Sequence, residues 1–95
     1  MTGRRTIYEI YWEILVYCKS PRTFTGIINR CDLNSKTGQE YLEFLVTRGY
    51  LALVTEGEKS GYQSTPAAAE YIGLLSSLYQ KLFEATPEFK LEKRA

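Results

Sequence analysis

The chain has 95 residues, of which 44% are hydrophobic and 24% charged, with a net charge of +1 and no histidine. That length allows one domain with a small core, and a near-neutral total gives no general attraction to polyanions. With only two cysteines and no histidine the composition speaks against a structural zinc site, and no apolar run reaches the roughly 18 residues of a membrane span.

The opening residues lack a signal-type apolar segment, so a cytoplasmic location is expected. Charge is uneven along the chain: residues 1–36 carry six basic and three acidic side chains. Arg4 and Arg5 lead this basic part and are candidates for a nucleic-acid-binding arm. A first helix is predicted over residues 7–18. Thr6 and Glu9 have the spacing of a capping box, in which each side chain satisfies the other's backbone N–H. Ile7, Ile10, Tyr11, Ile14, Leu15 and Cys18 recur at the spacing of one buried helix face. Tyr8, Trp12 and Val16 widen that face so far that a second copy of the chain is the expected cover.

Residues 20–22 read as a linker. Thr23 then caps a short second helix with Phe24, Ile27, Ile28 and Cys31 on one face. Asp32-Leu33 makes a turn, with Leu33 expected to plug the core. Asn34 is a good N-cap for a third helix, whose inward face is Tyr41, Leu42, Leu45 and Val46. Gly38 lies one turn earlier, placed for close packing or for approach to a ligand backbone. Gly49 follows as a helix-ending glycine.

Tyr50 to Thr55 has strand composition. A polar loop from Glu56 to Gly61 and a return strand over residues 62–64 complete a hairpin. Thr65-Pro66 opens a last helix, with threonine as cap and proline in its first turn. Ala68, Tyr71, Leu75, Leu78 and Leu82 step along it by threes and fours. Ile72, Tyr79 and Phe83 form a neighbouring stripe. Pro87 ends regular structure, leaving residues 84–95 as a charged tail.

Two helices joined by a tight turn and followed at once by a hairpin are the signature of a winged helix-turn-helix, an α+β class that is mainly α. The expected unit is residues 1–83, including a dimerisation helix over 66–83. The segment Leu33-Asn34, Glu40-Tyr41-Leu42, Leu45, then Arg48-Gly49-Tyr50-Leu51, a short hairpin and Thr65-Pro66, resembles small archaeal winged-helix DNA-binding proteins. Those of crenarchaeal viruses are similar in size, and a viral chain would work in the host cytoplasm. The resemblance implies binding to double-stranded DNA, usually as a homodimer, in transcriptional regulation. It also implies pairing through a terminal helix. This chain departs from the pattern at Ser35, where relatives often hold a larger residue, and in its acidic wing with Glu56 and Glu58.

In such a unit the third helix lies in the major groove. Its outward residues are Ser35, Lys36, Thr37, Gln39, Glu40 and Glu43. Gln39 suits adenine, Lys36 guanine and Glu40 cytosine, while Ser35 and Thr37 suit phosphate or base contacts. The plainer reading is a solvated helix face. Arg22 and Thr23 at the start of the second helix, Arg30 near its end, and Lys59 and Ser60 on the wing are candidate phosphate contacts, or serve solubility alone. Tyr8, Trp12, Tyr71, Leu75, Leu78, Tyr79 and Leu82 are the candidate dimer interface.

Cys18 and Cys31 lie on the apolar faces of consecutive helices. Two buried thiols, or a disulfide of the kind kept by intracellular proteins of hyperthermophiles, both fit that placement. A redox switch fits less well, since neither has an activating neighbour. No catalytic residue, cofactor, metal or small-molecule ligand is indicated. No glycine-rich phosphate loop and no nucleophile–base spacing occurs.

Overall fold

The computed structural model describes residues 6–83. The candidate arm at Arg4 and Arg5 and the tail over residues 84–95 lie outside the described residues, as does the side chain of Glu56. The elements run α1 (Ile7–Tyr17), α2 (Phe24–Cys31), α3 (Ser35–Thr47), β1 (Leu51–Glu56), β2 (Lys59–Ser64) and α4 (Pro66–Phe83). This is a winged helix, mainly helical, with one two-stranded antiparallel sheet among the described residues.

The three first helices start where their caps place them. Thr6 Oγ1 accepts from the Glu9 N–H at 3.1 Å, and Glu9 Oε1 accepts from the Thr6 N–H at 2.9 Å, closing the expected capping box. Thr23 Oγ1 accepts from the Gly26 N–H at 3.1 Å, and Asn34 Oδ1 from the Thr37 N–H at 2.8 Å. The stops are left-handed residues. Asp32 sits at φ 60°, and the Leu33 N–H then reaches back to the Ile28 carbonyl at 2.9 Å. Gly49 at φ 85° does the same for α3, with the Tyr50 N–H on the Leu45 carbonyl at 2.9 Å.

At the centre lies α1, packed against α2, β2 and α4. Ile14, Leu15 and Cys18 from α1 meet Ile27 and Cys31 from α2, Leu42 and Leu45 from α3, Leu51 from β1 and Ala68 from α4. All are buried. Leu33 packs partly buried against this cluster, as expected of a plug between α2 and α3. Gly38 is buried where α3 crosses Ile28 and Phe24 of α2, which decides in favour of close helix packing for that glycine.

Four expectations need correction. The run Ile10–Leu15 is buried all round within the single chain and needs no second copy to cover it, whereas Tyr8 stays 62% exposed. Trp12 in particular is only 8% exposed. No disulfide forms: Cys18 and Cys31 are both buried thiols. Burial pushes the Cys18 thiol up to about 12, with Cys31 adding to the effect and Arg22 opposing it. The hairpin is longer and its turn tighter than the polar composition suggested. Leu51 pairs with Ser64 and Glu56 with Lys59, leaving Gly57 and Glu58 as a two-residue turn. Gly57 at φ 64° in the first turn position follows the glycine-first pattern of a II′ hairpin. Finally, Thr65 does not serve α4 as a side-chain cap. Its hydroxyl donates to the Gly49 carbonyl at 2.6 Å, tying the start of α4 to the end of α3.

The linker is also structured. Arg22 exchanges two backbone hydrogen bonds with Tyr62, at 2.9 and 2.8 Å, and so adds a single-residue third strand to the hairpin. Gly61 allows this approach, because a Cβ there would stand 2.6 Å from the Arg22 carbonyl oxygen.

Candidate nucleic-acid interface

On α3, the cap at Asn34 and the inward set Gly38, Leu42 and Leu45 fix which residues face out. Ser35, Lys36, Gln39, Glu40 and Glu43 are exposed, and Thr37 is half-buried. Gln39 Nε2 donates to Glu43 Oε2 at 3.0 Å, one helical turn on. Between this face and the hairpin lies a hollow of about 370 Å³, lined by Gln39, Glu43, Val46, Thr47, Leu53 and Tyr62.

A second group gathers at the sheet edge. Arg22, Thr23, Lys59 and Ser60 line a smaller hollow of about 140 Å³ together with Pro21, Val54 and Gly61. Lys59 and Ser60 reach it from β2 and not from the tip of the wing. Here the structure adds a residue that the sequence reading passed over. The Arg22 guanidinium lies 4.3 Å from the Tyr17 ring centroid and that of Arg30 5.8 Å from it. Arg22 Nε also donates to the Tyr17 carbonyl at 2.9 Å. Tyr17 thus gathers two guanidinium groups, one from the linker before α2 and one from the last turn of α2, an arrangement held by cation–π attraction. No sequence periodicity marks it, since the three residues belong to α1, a linker and α2.

The residues put forward for a dimer interface divide. The Tyr71 hydroxyl donates to the Tyr8 carbonyl at 2.7 Å, and the Tyr79 hydroxyl donates to Glu9 Oε2. Both brace α4 against α1 within one chain. Burial pushes the Tyr71 hydroxyl up to about 12, with Tyr11, Tyr8 and Tyr50 adding to it. Tyr79 is raised as well, first by burial and then by its bond to Glu9. The outer side of α4 is different. Leu74, Leu78 and Leu82 are 66, 47 and 63% exposed. Tyr8, Tyr71, Leu74, Leu75 and Leu78 line an apolar hollow of about 310 Å³.

Among the described residues no group of three or more His, Cys, Asp or Glu side chains stands together as a metal site. No helix among them is long and apolar enough to cross a membrane.

The chain was compared with known proteins. A family model described as winged helix-turn-helix matches residues 4–82. The structure is similar to that of Sso10a-2, a DNA-binding protein from Sulfolobus solfataricus, at 26% identity and a TM-score of 0.69, covering 95% of this chain and 96% of that one. It shares its fold with MarR of Staphylococcus aureus, at 20% identity and a TM-score of 0.67, covering 90% of this chain and 57% of that one. CouR of Rhodococcus jostii is similar in fold at 12% identity and a TM-score of 0.64, covering 98% and 70%. No curated protein matches the sequence. An archaeal DNA-binding protein is thus among the similar structures, while nothing in the comparisons points to a virus. The chain belongs to the winged helix-turn-helix family.

Proposed function

We propose that this chain is a sequence-selective double-stranded DNA-binding protein that acts as a homodimer and regulates transcription, with α3 in the major groove. The observation that carries the reading is the outward face of α3. Ser35, Lys36, Gln39 and Glu40 project hydrogen-bonding groups from a helix whose inward face is locked in the core. Likeness over nearly the whole of both chains to a protein described as DNA-binding supports it. Arg22, Thr23, Lys59 and Ser60, with Arg30 beside Tyr17, supply the phosphate contacts that set register on the duplex.

Pairing is supported by α4. Leu75, Leu78 and Leu82 are spaced three and four residues apart, as along a coiled-coil seam, and Leu78 and Leu82 are exposed. Two copies joined there present their α3 helices to half-sites about 34 Å apart or a multiple of it. A palindromic site follows from the symmetry.

Glu40 and Glu43 on the same face favour a second reading, a winged helix used to bind another protein. Fluorescence anisotropy with random-sequence duplex DNA across a salt series separates the two. Binding that weakens steeply with salt supports DNA as the partner. Absence of binding at low salt overturns it. Selection of bound duplexes from a random pool then distinguishes a regulator from a nonspecific coating protein, which enriches no motif.

A further inference from the structure

The hydrogen bond from Gln39 to Glu43 has a consequence for which base the helix can read. A glutamine amide offers two N–H donors and one carbonyl acceptor. Here one N–H is taken by Glu43 Oε2 at 3.0 Å. What remains facing outward is one N–H and one C=O. Adenine presents the complement of that pair in the major groove, an N7 acceptor beside an N6 donor, whereas guanine presents two acceptors. Turning the amide over would place its oxygen against the Glu43 carboxylate, which repels it. Without Glu43 the amide can rotate and offer both N–H groups to guanine.

We infer that Glu43 is a positioning residue: it locks the Gln39 amide in the orientation that accepts adenine and rejects guanine. The inference rests on the DNA reading proposed above. The surroundings agree with an A·T pair. The hollow beside Gln39 has Val46, Leu53 and Tyr62 on its wall, and Leu53 is 65% exposed. Such an apolar wall suits the methyl group of the paired thymine. Both Gln39 and Glu43 are exposed, so neither is needed for the core.

The test is selection from a random-sequence duplex pool with the full chain and three variants, each first checked for an unchanged thermal melt. In the parent chain one position per half-site is expected to favour adenine over guanine by about tenfold. Gln39→Ala should erase that preference. Glu43→Ala should reduce it to about twofold or less, leaving a mixed purine at that position alone. Glu43→Gln offers an N–H as well as an acceptor, so it can hold the Gln39 amide either way round, and it should lose most of the adenine preference as Glu43→Ala does. If Glu43→Gln keeps the full adenine preference, an acceptor-only neighbour is not what fixes the amide, and the inference fails. A parent motif that Gln39→Ala or Glu43→Ala leaves intact also overturns it, with DNA binding untouched. A parent chain that binds no duplex overturns the DNA reading itself, and this inference with it.

Discussion

The space a side chain would need at Gly38 is held by Ile28: a Cβ there would stand 2.5 Å from Ile28 Cγ2. This pair sets how closely α3 approaches α2, and so how far the outward face of α3 projects from the domain. Ordinary helix propensity favours alanine over glycine by about 1 kcal/mol, so a substitution judged by propensity alone would stabilise. Overpacking against the half-buried, β-branched Ile28 costs about 1–3 kcal/mol and here should win. Gly38→Ala is expected to lower stability in urea unfolding. Adding Ile28→Ala should recover part of the loss, giving a coupling of about 1 kcal/mol or more in a double-mutant cycle. Additive effects would show that the two residues do not compete for space.

The outer side of α4 should behave as a surface and Trp12 as core. Leu78→Glu combined with Leu82→Glu is expected to give a monomer in analytical sedimentation with its helical circular dichroism intact. Trp12→Ala, at a residue 8% exposed in the single chain, should instead cost about 3–5 kcal/mol of folding stability. A dimer that survives the paired glutamates would place its interface away from this seam.

Tyr17 should affect DNA binding without touching DNA. Tyr17→Leu removes the ring on which both guanidinium groups rest, while Tyr17→Phe keeps it. Each phosphate contact contributes about 0.9 to the slope of log affinity against log salt. Tyr17→Leu is therefore expected to flatten the slope by up to that amount for each arginine released, and Tyr17→Phe to leave it unchanged. Equal slopes in all three proteins would show that the Tyr17 ring holds neither arginine for phosphate contact.

Stability should fall in alkali. The Cys18 thiol and Tyr71 hydroxyl, ordinarily near 9.0 and 10.0, are both pushed up to about 12. Above pH 9 the unfolded chain releases protons that the folded chain keeps, so unfolding gains. The contribution is complete below pH 9 and is lost between about 9 and 12. Urea midpoints measured from pH 7 upward should decline through that window, and Tyr71→Phe should make the decline shallower. The same burial makes Cys18 slow to alkylate in the native protein. Mass spectrometry after denaturation without reductant should find both cysteines alkylated.

Much of this architecture could be read from the chain because its signals are local. Caps such as Thr6 with Glu9, stops such as Gly49, and the apolar spacing of α3 each act within a few residues. What escaped the reading depends on distant segments meeting. Arg22 became a strand through Tyr62, which required Gly61 to lack a side chain. Thr65 turned its hydroxyl to Gly49 because α4 starts beside the end of α3. The breadth of apolar residues on α1 signals burial on more than one side, and for Ile10 to Leu15 that cover lies within the same chain, while Tyr8 stays exposed. The outward residues of α3 were legible from helical phase; the bond between Gln39 and Glu43 was not, because phase says which residues are neighbours and not which atoms they share.

Glu9 uses its two carboxylate oxygens for different ends of the fold. One closes the cap at the start of α1, and the other receives the hydroxyl of Tyr79 near the end of α4. The helix that opens the domain and the helix that carries the exposed leucine seam are therefore hinged to a common pin. For a dimer joined along that seam, the separation of the two α3 helices is then dictated by the tilt of α4 on α1 inside each copy. Operator spacing would be encoded in the monomer, and a Glu9→Gln or Tyr79→Phe chain could pair as tightly as before yet straddle its two half-sites at the wrong distance.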